Sequence, residues 1–117
     1  MESKKLVEQI LKFKELGGDP LFYELLLEAA ELHARKNHDY SKKGDPLSNL
    51  KACESLGIPA YKGVLVRLQD KWSRLVELSN KEAMVKEESV EDTLKDVAIY
   101  SLLAICLRRH DSIDKKK

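Results

Sequence analysis

Three prolines constrain the fold of this chain more narrowly than any other feature, because each stands where a helix is expected to begin. Pro20 and Pro46 each follow an aspartate, and Pro59 follows a Gly-Ile break. Proline is favoured at the first position of a helix, and a preceding aspartate can accept hydrogen bonds from the unpaired amides of the first turn. The sequence therefore predicts five helices, at about residues 4–16, 20–36, 46–56, 59–79 and 89–109.

The residues at the helix ends agree with this division. Gly17-Gly18, Gly57 and Asn80 follow the first, third and fourth predicted helices, as left-handed C-terminal caps would. No segment shows the strict alternation of apolar and polar side chains that is typical of a strand. The fold class predicted from these patterns is an all-α bundle of about five helices.

Length and charge narrow the class of protein. The chain is long enough for a single domain over residues 1–117, with its core at about 20–109 and a flexible basic tail at 110–117. It carries 21 Lys and Arg against 20 Asp and Glu, a formal net charge of +1. Proteins that bind duplex nucleic acid normally show a clear basic excess, so we expect no such partner.

The cysteines and the apolar segments bear on the cellular compartment. Cys53 and Cys106 have neither disulfide-framework nor metal-site spacing, so we expect two buried free thiols in a reducing cytosol. No signal-peptide pattern is present, and the longest apolar run has eleven residues, too few to cross a bilayer. A cytoplasmic protein without a membrane partner is expected.

Two predicted helices carry the apolar pattern of the core. The fourth should bury one face, and Gly63 near its start permits close approach of another helix or of a ligand. The members of that face are Val64, Leu65, Leu68, Trp72, Leu75 and Val76. The fifth helix is apolar on nearly all sides over residues 97–107, which is typical of a helix central in a bundle or buried between subunits. We therefore expect a homo-oligomer, most simply a dimer through this helix.

Two charged stripes border these apolar faces. Their residues recur at intervals of three and four, which places each set on one side of a helix. Stacked carboxylates repel one another unless a cation lies between them, and oxygen ligands suit Mg²⁺, whereas Arg and Lys suit phosphate. The stripes therefore predict a magnesium and nucleotide-phosphate site. The basic stripe contains Arg67, Asp70, Lys71 and Arg74, and the acidic stripe contains Glu88, Asp92 and Asp96.

A structural interpretation of the same stripes stays open. Asp96 projects toward the core, where a carboxylate needs a partner, and any of the three basic side chains of the first stripe could form a salt bridge with it. Ser89 and Asp92 could form a capping box that starts the last helix. The two polar segments, residues 36–46 and 80–88, are either binding loops or plain connections.

The order of these residues resembles a known group of small helical proteins. The residues in common are Asp39-Tyr40, Asp45-Pro46, Asn49, Gly57-Ile58-Pro59, Gly63, Arg67-Leu68, Asp70-Lys71, Arg74-Leu75, Glu88-Ser89, Asp92-Thr93-Leu94, Asp96 and Tyr100. The group is common in bacteriophages and is called nucleotide-modification-associated. It is related to the MazG-like all-α nucleoside triphosphate pyrophosphatases. The similarity covers roughly residues 30–107.

The resemblance implies a MazG-like fold and hydrolysis of a nucleoside triphosphate to a monophosphate and pyrophosphate with Mg²⁺. In that case the metal would be held by catalytic carboxylates, the phosphates by the basic stripe, and the base or sugar by Tyr40 and Asn49, with Lys36 and Asp39 also contacting the substrate. The metal ligands would be Asp70, Glu88, Asp92 and Asp96, and the phosphate ligands would be Arg67, Lys71 and Arg74. If the chain is phage-encoded, its compartment is the host cytoplasm.

Three functions remain open at this point. The first is the magnesium-dependent pyrophosphohydrolase. The second is a protein that binds or sequesters nucleotides without cleaving them, because the fourth helix offers Asp70 and then Arg74 where the superfamily has an acidic pair. The third is a helical interaction module in which the stripes form salt bridges between helices or subunits.

Overall fold

The computed structural model describes residues 2–40, 44–80 and 86–115, and within these ranges the chain forms helices and no strands. Of residues 39, 40, 86–89 and 113–115 the backbone alone is described. Four α-helices and one 3-10 helix follow one another, so the all-α prediction is confirmed. They are α1 (Ser3–Glu15), α2 (Pro20–Tyr40), the 3-10 helix (Ser48–Leu56), α3 (Ala60–Ser79) and α4 (Lys86–Lys115).

The three prolines do stand at helix starts, although in different positions. Pro20 is the first residue of α2, and the Asp19 Oδ1 atom accepts a hydrogen bond of 3.0 Å from the Leu21 amide. Pro46 lies in a turn two residues before the 3-10 helix begins. Pro59 precedes α3 as its N-cap residue, and no side chain caps that helix. Proline therefore marks each start by fixing φ before or at the first turn.

One of the predicted helix ends is formed differently. Gly57 adopts the left-handed conformation with φ of 77°, and the following amide of Ile58 returns to the Cys53 carbonyl at 3.3 Å. Asn80 ends α3 in the right-handed region with φ of −97°, so its predicted left-handed cap is wrong. Its side-chain Nδ2 instead donates to the Val76 carbonyl at 3.1 Å, which satisfies one of the carbonyls left unpaired at a helix end.

The helix lengths differ most from the prediction at the ends of α2 and α4, while α4 begins at Lys86 rather than 89 and the 3-10 helix at Ser48 rather than 46. α2 continues from the predicted end at residue 36 to Tyr40, because no glycine or proline interrupts the polar segment before Gly44. α4 runs to Lys115, six residues beyond the predicted end at 109, so residues 110–115 continue the helix.

Residue contacts divide the chain into two units, and the first ends at Lys36. It contains α1 and most of α2. All described residues of α1 are exposed, including several large apolar side chains such as Leu11 and Phe13. The rings of Phe22 and Tyr23 meet edge to face with centroids 5.7 Å apart. The prediction that residues 1–117 form one domain stays a prediction.

The second unit, residues 37–117, contains the apolar core. α3 and α4 run antiparallel, because early residues of α3 contact late residues of α4: Arg108 lies over the ring of Tyr61, whereas Lys71 meets Asp96. The 3-10 helix packs beside α3. The buried core consists of Leu47, Leu50, Ala60, Val64, Leu103, Ala104 and Leu107.

The predicted apolar face of α3 is only partly buried. Val64 is buried, and Leu68 and Leu75 are half-buried. In contrast, Trp72 is 63% exposed, and Leu65 and Val76 lie with it on the same flank of the helix. The face predicted for the core is therefore wider than the strip that α4 and the 3-10 helix cover.

The outer surface of the second unit also differs from the prediction at the cysteines. Both are free, as expected, but Cys53 is half-buried and Cys106 is exposed, so the prediction of two buried thiols is wrong. α4 is apolar on all sides, but only one of its faces packs on α3. Cys106 lies outside that face, and its thiol is therefore exposed. None of the described helices is long and apolar enough to cross a membrane.

Gly63 allows α3 to approach the 3-10 helix closely. A Cβ atom at this position would lie 2.7 Å from the Cys53 Sγ atom, which is too short for ordinary contact. The thiol itself donates to the Ile58 carbonyl at 3.5 Å, so it has a preferred position. The role predicted for Gly63 in helix packing is therefore confirmed.

We expect Gly63→Ala to lower the free energy of unfolding by about 1–2 kcal/mol, because the overpacking outweighs the better helix propensity of alanine. In a Cys53→Ala background the same change should be neutral or stabilising, since the sulfur is gone. Urea titration of the four proteins in this cycle measures the coupling. Equal effects of Gly63→Ala in both backgrounds would contradict the packing argument.

Asp45 stabilises the turn that leads into the 3-10 helix. Its Oδ1 accepts from the Leu47 amide at 3.1 Å, and its Oδ2 lies 3.2 Å from the Lys51 Nζ. The amide hydrogen bond first, and Lys51 second, hold the pKa of the Asp45 carboxyl below its usual value. A lowered pKa in the folded state means that ionised Asp45 stabilises the fold above the unfolded pKa of about 3.9.

We therefore expect the difference in melting temperature between the wild type and Asp45→Asn to be constant above about pH 5 and to shrink below about pH 4. The contribution is lost as the pH falls through the lowered pKa of the folded protein. Melting curves between pH 2 and pH 7, about the range in which a carboxylate titrates, test this. A difference that stays constant through acid pH would show that the carboxylate charge has no role.

Candidate functional site

The Lys71–Asp96 ion pair joins the two predicted stripes. The Lys71 Nζ atom lies 2.9 Å from the Asp96 Oδ2 atom, and thus α3 and α4 are linked by a charge-assisted contact. The Lys71 side chain is 34% exposed and that of Asp96 is 18% exposed. The pairing of Asp96 with a basic residue of the first stripe, one of the two interpretations of the sequence, is therefore present in the structure.

Arg67 stands one helical turn from Lys71 and faces Tyr100. Its guanidinium carbon lies 6.0 Å from the centroid of the tyrosine ring, at the outer limit of a cation–π contact. Tyr100 is in turn four residues after Asp96, so a four-residue step along α3 corresponds to a four-residue step back along α4. The antiparallel register thus lays the basic stripe of α3 along one edge of α4.

Three other stripe residues lie on the surface beside this pair. Asp70 and Arg74 are exposed on α3, and Asp92 is exposed on α4 one turn before Asp96. Thr93 next to it is the buried residue, with 3% exposure. Arg67, Lys71 and Arg74 therefore form a row of three basic side chains along one helix. The contact with α4 buries only the middle one to any extent.

The remaining predicted site residues are distributed over the chain. Asn49 lies in the 3-10 helix and is half-buried, and Lys36 is the last residue of the first unit and is exposed. Several predicted residues lie outside the described part of the structure. They are the side chains of Asp39, Tyr40, Glu88 and Ser89, and residues 41–43 and 81–85 of the two polar segments.

The carboxylates do not form a metal centre in the described part of the chain. No group of three or more His, Cys, Asp or Glu side chains is placed there to share one ion. Asp92 and Asp96 are one turn apart, which is a spacing that two ligands on a helix can have. Asp96, however, is already in contact with Lys71. The side chain of Glu88, the fourth predicted ligand, lies outside the described part of the structure, so the magnesium site stays a prediction.

The sequence patterns missed a second contact between an arginine and an aromatic ring. Arg108 lies 5.3 Å from the centroid of the Tyr61 ring, at the end of α3 opposite to Lys71. A cavity of about 190 Å³ lies beside this contact and is lined by Tyr61, Arg108, Asp111 and Ser112. Tyr61 and Lys71 are ten positions apart, which corresponds to about 15 Å of helix. Only the antiparallel register of α3 against α4 brings Arg108 to Tyr61, and the sequence alone does not reveal that register.

Comparisons with protein-family models, with curated proteins and with solved structures find no match to this chain.

We expect Lys71→Met or Asp96→Asn to lower the free energy of unfolding by about 1 kcal/mol, because each removes the partly exposed ion pair that links α3 and α4. The double variant should be more stable than the sum of the two losses predicts. The Arg35–Glu31 pair, an exposed contact within α2, is a matched control with an expected coupling of at most about 0.5 kcal/mol. Equal coupling in both pairs by urea titration would contradict a structural role for Lys71–Asp96.

Proposed function

We propose that the basic row of α3 binds the phosphate groups of a nucleotide. The observation that carries this proposal is the position of Lys71: it lies in the middle of the row and Asp96 holds its ammonium group at the surface of the helix pair. Arg67 and Arg74 lie one turn away on either side. The row extends over about 10 Å of helix, so several phosphate oxygens can be contacted at once.

The three basic side chains would contribute differently. A guanidinium group can donate two parallel hydrogen bonds to one phosphate, whereas an ammonium group acts as a compact point charge. Arg74 is exposed and its fork can reach a ligand directly. Arg67 lies over Tyr100, which limits the directions in which its donors point. We therefore assign the closest phosphate contacts to Lys71 and Arg74.

A second candidate is the pyrophosphohydrolase activity that the sequence resemblance implies. Asp92 and Asp96, one turn apart on α4, favour it because they face the same flank as the basic row. Asp70 and Glu88 would complete the proposed ligand set for Mg²⁺. Release of pyrophosphate from a nucleoside triphosphate, strictly dependent on Mg²⁺, would establish this activity over simple nucleotide binding.

The third candidate, an interaction module, is supported by the same ion pair. A salt bridge between α3 and α4 can serve the fold alone, without a ligand. We also propose that the protein is located in the cytoplasm, where the free thiols of Cys53 and Cys106 would stay reduced. Its proposed protein partner is a second copy of the same chain, in a homo-oligomer. A nucleotide-binding measurement separates this module from the first two candidates.

We expect Lys71→Met to weaken binding of a nucleoside triphosphate by about 1–3 kcal/mol, the scale of a hydrogen bond to a charged group. Binding of the uncharged nucleoside should hardly change. Lys62→Met is the matched control, because Lys62 is an exposed lysine of α3 outside the charged stripes and should leave both affinities unchanged. Calorimetric titration with a panel of nucleotides, with and without Mg²⁺, provides the measurement.

The same titration can contradict the proposal. If Lys71→Met does not change triphosphate affinity, or if the wild type binds no nucleotide, the basic row does not recognise phosphate and the module hypothesis is favoured. Because Lys71→Met also removes a partner of Asp96, Arg74→Gln is a second variant that leaves this pair intact. A loss of triphosphate affinity in Arg74→Gln would show that the effect is not a consequence of weakened folding.

A further inference from the structure

The face of α4 that points away from α3 carries a continuous apolar strip. Leu94, Leu102 and Ile105 are about half exposed there, with values of 50%, 55% and 48%. The small side chains of Ala98 and Ser101 lie between them and are also exposed. These five positions recur at intervals of three and four, so they lie on one side of the helix. We call them the outer strip of α4.

A charged residue lies at each end of the outer strip. Glu91 is one turn before Leu94, and Arg109 is one turn after Ile105, and both are exposed. The two ends therefore have opposite charge.

The positions of the outer strip and of its two charged ends are nearly symmetric about position 100, although the residue types differ. Counting outward from that point, Ala98 corresponds to Leu102, Leu94 corresponds to Ile105 within one residue, and Glu91 corresponds to Arg109. A strip with this order is complementary to itself when a second copy is turned end over end. This is the requirement for an interface with two-fold symmetry, in which the same surface is used by both subunits.

We infer that two copies of this chain pair through the outer strips of their α4 helices, antiparallel and crossing near position 100. Glu91 of each copy then meets Arg109 of the partner subunit, at two symmetric sites separated by about 27 Å of helix. The leucine and isoleucine side chains interdigitate between these ends, and Ala98 and Ser101 let the helices approach closely at the centre.

The surface near Arg109 forms an open hollow at the basic end of the outer strip. A concave region of about 560 Å³ is lined by Ile105, Arg108, Arg109 and Ser112. In the antiparallel register residues 91–95 of the partner helix lie opposite this region, which brings Glu91 and Leu94 of the partner subunit to a basic and apolar hollow. Charge complementarity therefore favours a second copy over a partner with a uniform charge, such as a nucleic acid or an anionic lipid surface.

Charge reversal tests the register directly. Glu91→Lys and Arg109→Glu should each weaken dimerisation by at least about fivefold, because each places two like charges opposite one another at both ends. The double variant, in which the pairs are restored with the signs exchanged, should recover most of the affinity. Analytical ultracentrifugation over a concentration series measures the dissociation constant of all four proteins.

Leu102→Glu tests the strip itself, because it buries a carboxylate near the proposed axis and should give a monomer with unchanged helicity by circular dichroism. Leu65→Glu is the matched control: Leu65 is an equally exposed leucine of α3, outside the outer strip, and its replacement should leave the dimer intact. A monomeric wild type at high micromolar concentration would overturn the inference. So would a dimer that tolerates Leu102→Glu, or a double charge variant that does not recover.

A cysteine near the axis gives an independent test. In a background without Cys53 and Cys106, both replaced by serine, Ser101→Cys should form an interchain disulfide under mild oxidation, because position 101 lies next to its own copy across the axis. Ser55→Cys, on the exposed side of the 3-10 helix, should form no interchain disulfide under the same conditions. Equal cross-linking of both variants, or cross-linking of neither, would contradict the antiparallel register.

Discussion

The contact between α3 and α4 is the interaction on which the second unit depends. Val64 on α3 and Leu107 on α4 are its most deeply buried large side chains, and Leu47 and Leu50 add the 3-10 helix to the same core. Burying such side chains contributes roughly 1.5–3 kcal/mol each, far more than a half-exposed ion pair. The apolar contact therefore fixes the register, and the register then decides which charges meet. Lys71 and Asp96 are neighbours because the core places them so.

Much of this fold could be predicted from the sequence, where local chemistry decides the outcome. Prolines and Gly57 set the helix starts and one end through their own backbone preferences. The type of helix at 48–56 could not be predicted, because an apolar spacing of three residues suits both an α-helix and a 3-10 helix over a single turn. The end of α3 also could not be predicted, since Asn80 can cap a helix either through a left-handed backbone or through its side chain.

The site could be predicted less completely, for a physical reason. Residue spacing shows which side chains share a face of one helix, but not which face of another helix lies opposite. Three basic residues were candidates for contact with Asp96, and only the register of α3 against α4 selects Lys71. The same limitation applies to Trp72. Its apolar character predicted burial, whereas the partner helix covers a strip too narrow to include it.

The exposure of the Lys71–Asp96 pair reconciles a structural contact with a binding role. Lys71 is the more exposed partner and has a long flexible side chain, whereas Asp96 is the more enclosed one. An incoming phosphate would therefore reach the ammonium group without displacing the carboxylate from the helix interface. Since a half-exposed pair contributes only about 1 kcal/mol, reorienting Lys71 toward a ligand costs little of the stability that the apolar core provides. Asp96 thus holds the ammonium group of Lys71 at the surface of the helix pair, and the apolar core between α3 and α4 fixes the position of Asp96.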